Sequence, residues 1–310
     1  MKSVVFMGSP DFAVASLEAL IASPDYDVKL VVSQTDKPQG RKQILTPPPV
    51  KQTALQHGVE VYQPASLKNP EAYEKIAALH PDFIVVAAYG KILPQNILDI
   101  PKYGCVNLHG SLLPKYRGAA PIQWCVINGE KKTGVTTMLM DAGLDTGDIL
   151  LTAETAIDEN ETAGELFDRL AQMCPPLLLQ TLEGLAAGTI LPKKQNEDDA
   201  TYVGVLNKEL AVIDWNRSAE EIHNKVRGMN PWPVAKTVMN GKTVKIFSGC
   251  VFSSEINRKA GELYNKDGNL LVSCGKGIYR IEELQMEGAR RMHAADFLRG
   301  HPVSGVIELE

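Results

Sequence analysis

Short apolar runs alternate with helical patterns through the first two thirds of the chain. Residues 82–88 form a continuously apolar run, as in a strand that is covered on both faces of a sheet. After the apolar run of residues 2–7, Leu17, Leu20 and Ile21 recur at the spacing of one helix face, with Asp11 as the predicted cap. This alternation predicts an α/β fold, with an open, mainly parallel, Rossmann-like sheet and helices on both faces.

The pattern gives bounds for each element of that sheet. The predicted strands are residues 2–7, 28–32, 59–62, 82–88, 104–108, 133–140 and 149–153. The predicted helices are residues 12–21, 50–57, 70–79, 94–98, 122–127 and 162–187, the last with a kink or a new start at Pro175 and Pro176.

A different pattern begins near Val244. Short apolar runs there alternate with turns, which is the spacing of a small antiparallel β-barrel. Ser218 is placed to cap a helix that ends at Arg227.

A length of 310 residues suits two domains, at roughly 100 to 200 residues each. We therefore predict a first domain at residues 1–188, a polar linker at 189–206 and a C-terminal barrel domain at 207–310.

Composition narrows the class of protein. With 44% hydrophobic and 22% charged residues, the chain resembles an ordinary soluble globular protein. No run approaches the roughly 18 apolar residues of a membrane span, and the first apolar run is too short for a signal peptide. The expected location is cytoplasmic, away from membranes. The five cysteines are scattered without a Cys-x-x-Cys pair and are expected to be reduced, mostly buried thiols.

Positive charge is unevenly distributed. Residues 1–206 carry a formal charge of −7 and residues 207–310 one of +2, which permits contact between the C-terminal domain and nucleic acid without establishing it. Residues 34–51 are predicted to be neither helix nor strand, and their lysines and arginine make them locally basic. Most such stretches are solvated surface loops, but this one follows an early strand of an α/β sheet, at the edge where ligands bind. It is therefore a candidate functional loop.

The turn at residues 8–13 resembles a dinucleotide-binding turn only in its position. It lacks the glycine spacing that lets a pyrophosphate approach a helix start, and Asp11 would repel a phosphate. No Gly-Lys-Ser/Thr phosphate loop occurs in the sequence. Nicotinamide cofactors are therefore not expected.

Polar side chains follow two of the predicted strands. Asn107 and His109 lie where the strand at 104–108 ends, and Asp145 lies in the Gly-rich turn at 141–148. These are the groups that acyl transfer to an amine requires: an amide donor for the oxyanion, an imidazole, and a carboxylate that accepts a proton. Ser111 lacks the Gly-x-Ser-x-Gly surroundings of an activated nucleophile, which favours direct transfer.

Plainer interpretations of these residues stay open at this point. A lone histidine after a strand is more often structural, and an aspartate in a turn more often caps a backbone. His109 could also bind a metal with Asp141, Asp145 and Asp148, but the other histidines show no spaced pairing, so no metal is expected. The occurrence of all three polar residues at strand ends favours the catalytic interpretation.

Taken together, the motifs at 107–114, 116–121 and 145–148 resemble those of the folate-dependent formyltransferases. The resemblance extends to residues 8–13, to the basic stretch near Lys42 and to residues 230–233, so it covers essentially the whole chain.

The resemblance implies an activity and a set of site residues. It implies transfer of a formyl group from 10-formyltetrahydrofolate to the α-amine of methionine on the initiator tRNA. The implied catalytic residues are Asn107, His109 and Asp145, and the implied folate-binding residues are Ser111, Leu112, Leu113 and Pro114. The implied tRNA-binding residues are Lys37, Arg41 and Lys42, with the remaining contacts on a C-terminal barrel of the oligonucleotide-binding type. A monomer is expected.

Three rival functions remain. A formyltransferase acting on an amino sugar nucleotide would share Asn107, His109 and Asp145 but would not need the basic stretch or the terminal barrel. A formyltetrahydrofolate hydrolase would use water in place of the amine. A non-catalytic tRNA-binding protein would have no need to keep all three polar residues.

Overall fold

A seven-stranded sheet forms the core of the first part of the chain. The computed structural model describes residues 1–40, 42–255 and 258–309. The strands of this part are β1 (Lys2–Gly8), β2 (Tyr26–Val32), β3 (Lys37–Gln39), β4 (Ile44–Thr46), β5 (Val61–Tyr62), β6 (Phe83–Ala87), β7 (Cys105–His109), β8 (Arg117–Gly118), β9 (Lys132–Leu139), β10 (Ile149–Ala156) and β11 (Tyr202–Val203). Seven of them form the sheet, in the order β10-β9-β7-β6-β1-β2-β5.

The direction of the strands confirms the predicted mainly parallel, Rossmann-like sheet. β5, β2, β1, β6 and β7 run parallel, and β9 is antiparallel to β7. Every residue of β6 and β7 is buried, so both faces of the sheet are covered at its centre. Because β6 and β7 run parallel, their carboxyl ends meet at one edge of the sheet, where α/β proteins bind their ligands.

Eight α-helices lie in the described residues. They are α1 (Val14–Ala22), α2 (Pro49–Gln56), α3 (Pro70–Ala77), α4 (Gln95–Leu98), α5 (Pro121–Ile127), α6 (Ala163–Ala187), α7 (Ala219–Gly228) and α8 (Ala294–Gly300). α6 is one helix across both Pro175 and Pro176. Over the residues described, no helix is long and apolar enough to cross a membrane.

The prediction that Asp11 caps the first helix is wrong. Asp11 is the first residue of a short 3-10 turn, Asp11–Ala13, and no side chain caps either that turn or α1. Pro10 takes the capping position because its extended backbone, with φ of −81° and ψ of 174°, already directs the chain into the turn.

The prediction of an irregular segment at residues 34–51 is also wrong. β3 and β4 pair antiparallel in a hairpin, with Lys37 opposite Thr46. The β-branched and apolar side chains of Ile44–Thr46 favour an extended strand, and Gly40, with φ of +69°, permits the turn. The segment ends where Pro49 begins α2.

A β-barrel occupies the C-terminal part of the chain, as predicted. Its strands are β12 (Lys236–Met239), β13 (Lys242–Ser253), β14 (Glu262–Lys266), β15 (Asn269–Ser273), β16 (Ile278–Met286), β17 (Met292–His293) and β18 (Ile307–Glu308). They run antiparallel in the order β12-β13-β16-β15-β14-β18, with β17 beside β16. A bridge between Met239 and Leu309 nearly closes the barrel by joining its two edge strands.

The chain packs as two compact units that are discontinuous in sequence. The first contains Met1–Gly118, Thr133–Thr155 and Phe167–Tyr202, and the second contains Ala119–Lys132, Ala156–Leu166 and the chain from Val203 onward. The domain boundaries at residues 188 and 206 stay a prediction. Within the first unit, the backbones of Ile149 and Lys193 exchange two hydrogen bonds of 2.8 Å, so residues after α6 return to the sheet.

α7 begins with a capping box at the residue that the sequence indicated. The Ser218 side chain accepts a hydrogen bond from the Glu221 amide, and the Glu221 carboxylate accepts one from the Ser218 amide.

The substitution Ser218→Ala is expected to lower the free energy of unfolding by about 1 kcal/mol, because one amide of the first turn loses its acceptor. Urea unfolding measures the change. A loss of the same size in the exposed control Ser304→Ala would contradict this role.

Candidate active site

β7 presents two polar side chains at the carboxyl edge of the sheet. Asn107 and His109 are two residues apart on this strand, so both project from the same face. They are 8% and 6% exposed. β6 and β9 flank the strand, with Val86 and Met138 beside Asn107. A polar pair is thus held at the end of an otherwise apolar strand.

The loop after β9 brings a carboxylate to this pair. Asp145 Oδ2 lies 3.7 Å from His109 Nδ1 and accepts a hydrogen bond of 2.8 Å from the Gly118 amide. Asp145 has a left-handed backbone with φ of +54°. Asp141 shapes the turn by accepting hydrogen bonds from the Gly143 amide and the Thr146 hydroxyl, at 3.0 and 2.7 Å. The structure therefore brings His109 and Asp145 together.

One glycine is required for this loop to pack against β9. A Cβ added to Gly147 would lie 1.7 Å from the carbonyl oxygen of Leu139. No side chain fits there, because the clash is with backbone. Gly147 is thus part of what places Asp145.

The second ring nitrogen of His109 fixes its tautomer. Nε2 lies 2.9 Å from the carbonyl oxygen of Tyr116, which can only accept, so Nε2 carries a hydrogen. In the neutral ring, Nδ1 then has a lone pair and faces Asp145. The distance of 3.7 Å is too long for a direct hydrogen bond. A neutral Nδ1 can therefore accept a proton beside a carboxylate that would stabilise the resulting imidazolium.

The predicted folate-binding segment, residues 111–114, is a turn that several hydrogen bonds hold in place. The Ser111 hydroxyl is buried and donates to the Lys115 carbonyl at 2.8 Å. The Thr136 hydroxyl donates to the Ser111 carbonyl at 2.7 Å and accepts from the Leu113 amide at 3.2 Å. Leu113 is buried, whereas Leu112 and Pro114 are partly exposed. The folate-binding role of these residues stays a prediction.

The basic stretch at residues 34–51 offers fewer uncompensated positive charges than its sequence indicates. Lys51 Nζ is 2.8 Å from Asp36 Oδ1, so these charges compensate, and hydrogen bonding to Lys51 lowers the pKa of Asp36. Lys37 and Lys42 are exposed, with Lys37 Nζ donating to Gln34 at 2.6 Å. Arg41, the third predicted tRNA-binding residue, lies outside the described residues.

The sequence did not indicate a group of hydrogen-bonded side chains around Arg117. In the sequence, Arg117 stands within the motif at 116–121, and Gln195 and Glu197 stand within the polar linker at 189–206. Arg117 is fully buried, and its Nη2 lies 2.8 Å from Glu197 Oε1. Hydrogen bonds between them raise the pKa of Arg117 and lower the pKa of Glu197. The one signal in the sequence is that Arg117 lies between Tyr116 and Gly118. An arginine beside such residues is rarely buried unless another side chain pairs with it.

The described residues contain no group of three or more His, Cys, Asp or Glu side chains that could hold a metal ion. What the site does contain is an amide, an imidazole and a carboxylate at one sheet edge. An amide of this kind can donate to an oxyanion, and an imidazole beside a carboxylate can move a proton, which is the chemistry of acyl transfer.

Two family models match the chain. The model described as "Formyl transferase" matches residues 1–182, and that described as "Formyl transferase, C-terminal domain" matches residues 205–302. The class defined by fold and site is thus that of the formyltransferases.

Full-length relatives narrow this class. The methionyl-tRNA formyltransferases of Clostridium perfringens and Acetivibrio thermocellus are each similar to this chain at 50% identity, over 302 and 303 residues, which is 97% of this chain and of theirs. The chain belongs to the methionyl-tRNA formyltransferase family.

A solved structure shares the fold at much lower identity. It is the N-formyltransferase from Helicobacter canadensis in complex with folinic acid and dTDP-3-aminofucose, which matches with a TM-score of 0.67 and 20% identity, covering 94% of this chain and 100% of that one. At this identity the similarity concerns the fold alone.

Proposed function

We propose that this protein transfers a formyl group from 10-formyltetrahydrofolate to the α-amine of methionine on the initiator tRNA. The observation that carries the reaction type is the 3.7 Å approach of the Asp145 carboxylate to His109 Nδ1 at the carboxyl end of β7. The substrate assignment is supported by 50% identity to methionyl-tRNA formyltransferases over 97% of the chain.

In this proposal the amine nitrogen attacks the formyl carbon directly. Its proton passes to Asp145, directly or through a water, or to Nδ1 of the neutral His109 ring. Asn107 donates from its amide to the oxygen that becomes negative. The bond from the formyl carbon to the folate nitrogen then breaks, and the group that took the proton, either the Asp145 carboxyl or the His109 imidazolium, returns it to that nitrogen. Each proton taken from the amine is thereby delivered to the leaving group.

The decisive assay offers the protein a choice of acceptors. It is incubated with 10-formyltetrahydrofolate and either methionyl initiator tRNA, an amino sugar nucleotide or no acceptor, and formylated product and free formate are followed. Formylmethionyl-tRNA is the expected product. Product with the sugar nucleotide alone would identify a sugar formyltransferase, and release of formate without an acceptor would identify a hydrolase.

The hairpin β3–β4 is proposed to contact the tRNA backbone through its exposed lysines. Lys42→Ala is expected to raise the KM for methionyl-tRNA roughly threefold to tenfold, because one cationic contact to a phosphate is lost. The KM for the folate is expected to stay unchanged. Steady-state kinetics at several salt concentrations should give a shallower salt dependence of kcat/KM for the variant, by about one in the log–log slope.

The matched control for this experiment is Lys68→Ala, which removes another exposed lysine from the same unit. An equal rise of the tRNA KM in both variants would mean that only the overall charge matters, and would contradict a specific contact at Lys42.

The proposal also includes two further parts, that the protein is a monomer and that residues 111–114 line the folate site.

A further inference from the structure

Gln195 binds the backbone of the loop that carries Asp145. Its Nε2 group donates one hydrogen bond of 2.8 Å to the carbonyl oxygen of Asp145 and another of 2.7 Å to that of Gly147. Both amide hydrogens are therefore used on one short segment, fifty residues away in sequence. A side chain from the predicted linker thus holds the loop in place.

Arg117 fixes the orientation of the Gln195 amide. Gln195 Oε1 accepts hydrogen bonds from Arg117 Nε at 3.0 Å and from Nη2 at 2.9 Å. A guanidinium group only donates, so the oxygen of the amide must face it and the NH2 group must face the loop carbonyls. The amide cannot turn over without losing all four bonds.

Every guanidinium hydrogen of Arg117 is used in a hydrogen bond. Its remaining hydrogens go to Glu197 Oε2 at 2.9 Å, Glu197 Oε1 at 2.8 Å and the Tyr202 hydroxyl at 2.7 Å. With the two bonds to Gln195, all five guanidinium hydrogens have acceptors. The side chain is also fully buried.

The same arginine precedes the residue that binds the carboxylate. The Gly118 amide donates to Asp145 Oδ2 at 2.8 Å. The Asp145 side chain and its carbonyl are thus held through two neighbours of Arg117, one along the chain and one across space. This double hold supports the left-handed backbone at Asp145.

The geometry points to Gln195 as a positioning residue, which together with Arg117 fixes the Asp145 carboxylate beside His109. The inference rests on the proposed function, in which Asp145 takes part in the reaction. Gln195 touches no reacting atom in this arrangement and acts only through the loop.

The test uses Gln195→Glu, which keeps the acceptors for Arg117 but removes both donors to the loop. We expect kcat for formylation of methionyl-tRNA to fall about 10- to 100-fold, because a displaced catalytic group loses its alignment. The KM for each substrate is expected to stay within about twofold. Gln195→Met, of similar length and without donors, is the second variant if the first fails to fold.

Two further measurements separate positioning from other causes. In the Asp145→Asn background, Gln195→Glu should have no further effect on single-turnover rates, since Gln195 acts through Asp145. Hydrogen exchange of the 141–148 amides should rise in Gln195→Glu and not in Gln172→Glu, an exposed control on α6. Unchanged exchange in the loop, or additive effects on rate, would overturn the inference. An inactive wild type would overturn the proposed function instead, and the exchange experiment would still decide the role of Gln195.

Discussion

Replacing Asp145 by asparagine is expected to lower kcat for formyl transfer by about 10²- to 10⁴-fold, the contribution of one positioned proton acceptor. Asparagine can still accept the hydrogen bond from the Gly118 amide, which the Asp145 carboxylate receives at 2.8 Å. The loop should therefore keep its conformation. What the variant loses is a base beside His109 Nδ1, where the carboxylate now lies at 3.7 Å. Steady-state formylation of methionyl-tRNA measures the effect.

The control for this variant is Asp168→Asn, the same chemical change at an exposed position of α6. It should leave kcat and the unfolding midpoint unchanged. If Asp145→Asn keeps near-normal turnover, the carboxylate does not accept the proton of the amine. His109 would then be the remaining acceptor.

The second large effect is expected for Asn107→Ala. Removing one preorganised donor from a developing oxyanion typically lowers kcat by about 10²- to 10³-fold. Asn107 is 8% exposed on a fully buried strand, so its amide is held in a site from which water is largely excluded. Because the donor acts mainly in the transition state, kcat and kcat/KM should fall together.

Asn96→Ala, which shortens an exposed asparagine on α4, is the matched control. A rise in KM at unchanged kcat would instead mean that Asn107 binds substrate equally well before and during the reaction. That result would contradict its role as an oxyanion donor, whereas a matching loss of stability would point to packing.

Local patterns along the chain predicted most of the individual elements. The apolar run at residues 82–88 became β6, and Ser218 with Glu221 became the capping box of α7. In both, neighbours in sequence supply the physical cause: a strand buried on both faces must be apolar, and a helix start needs an acceptor for its first amides. The position of Asn107 and His109 on β7 was predictable in the same way, because these polar residues interrupt an apolar strand at its end.

Other features depended on groups that are distant in sequence. The hairpin at 37–46 forms through pairing across its turn, which the proline-rich and basic composition obscured. The antiparallel direction of β9 is likewise set by its pairing with β7. Such pairings carry no strong local signal, since the same residues could lie in a loop.

The sequence by itself determined the sheet and the barrel and placed Asn107 and His109 at the end of a buried strand, because each of these follows from hydrophobic spacing or from a motif within a few residues. Only the tertiary structure decided that Asp145 approaches His109 and that Gln195 and Arg117 hold its loop. The physical reason is that a buried arginine must satisfy five donors at once. Its acceptors at Gln195, Glu197 and Tyr202 lie about eighty residues further along the chain and meet it only when the chain folds back.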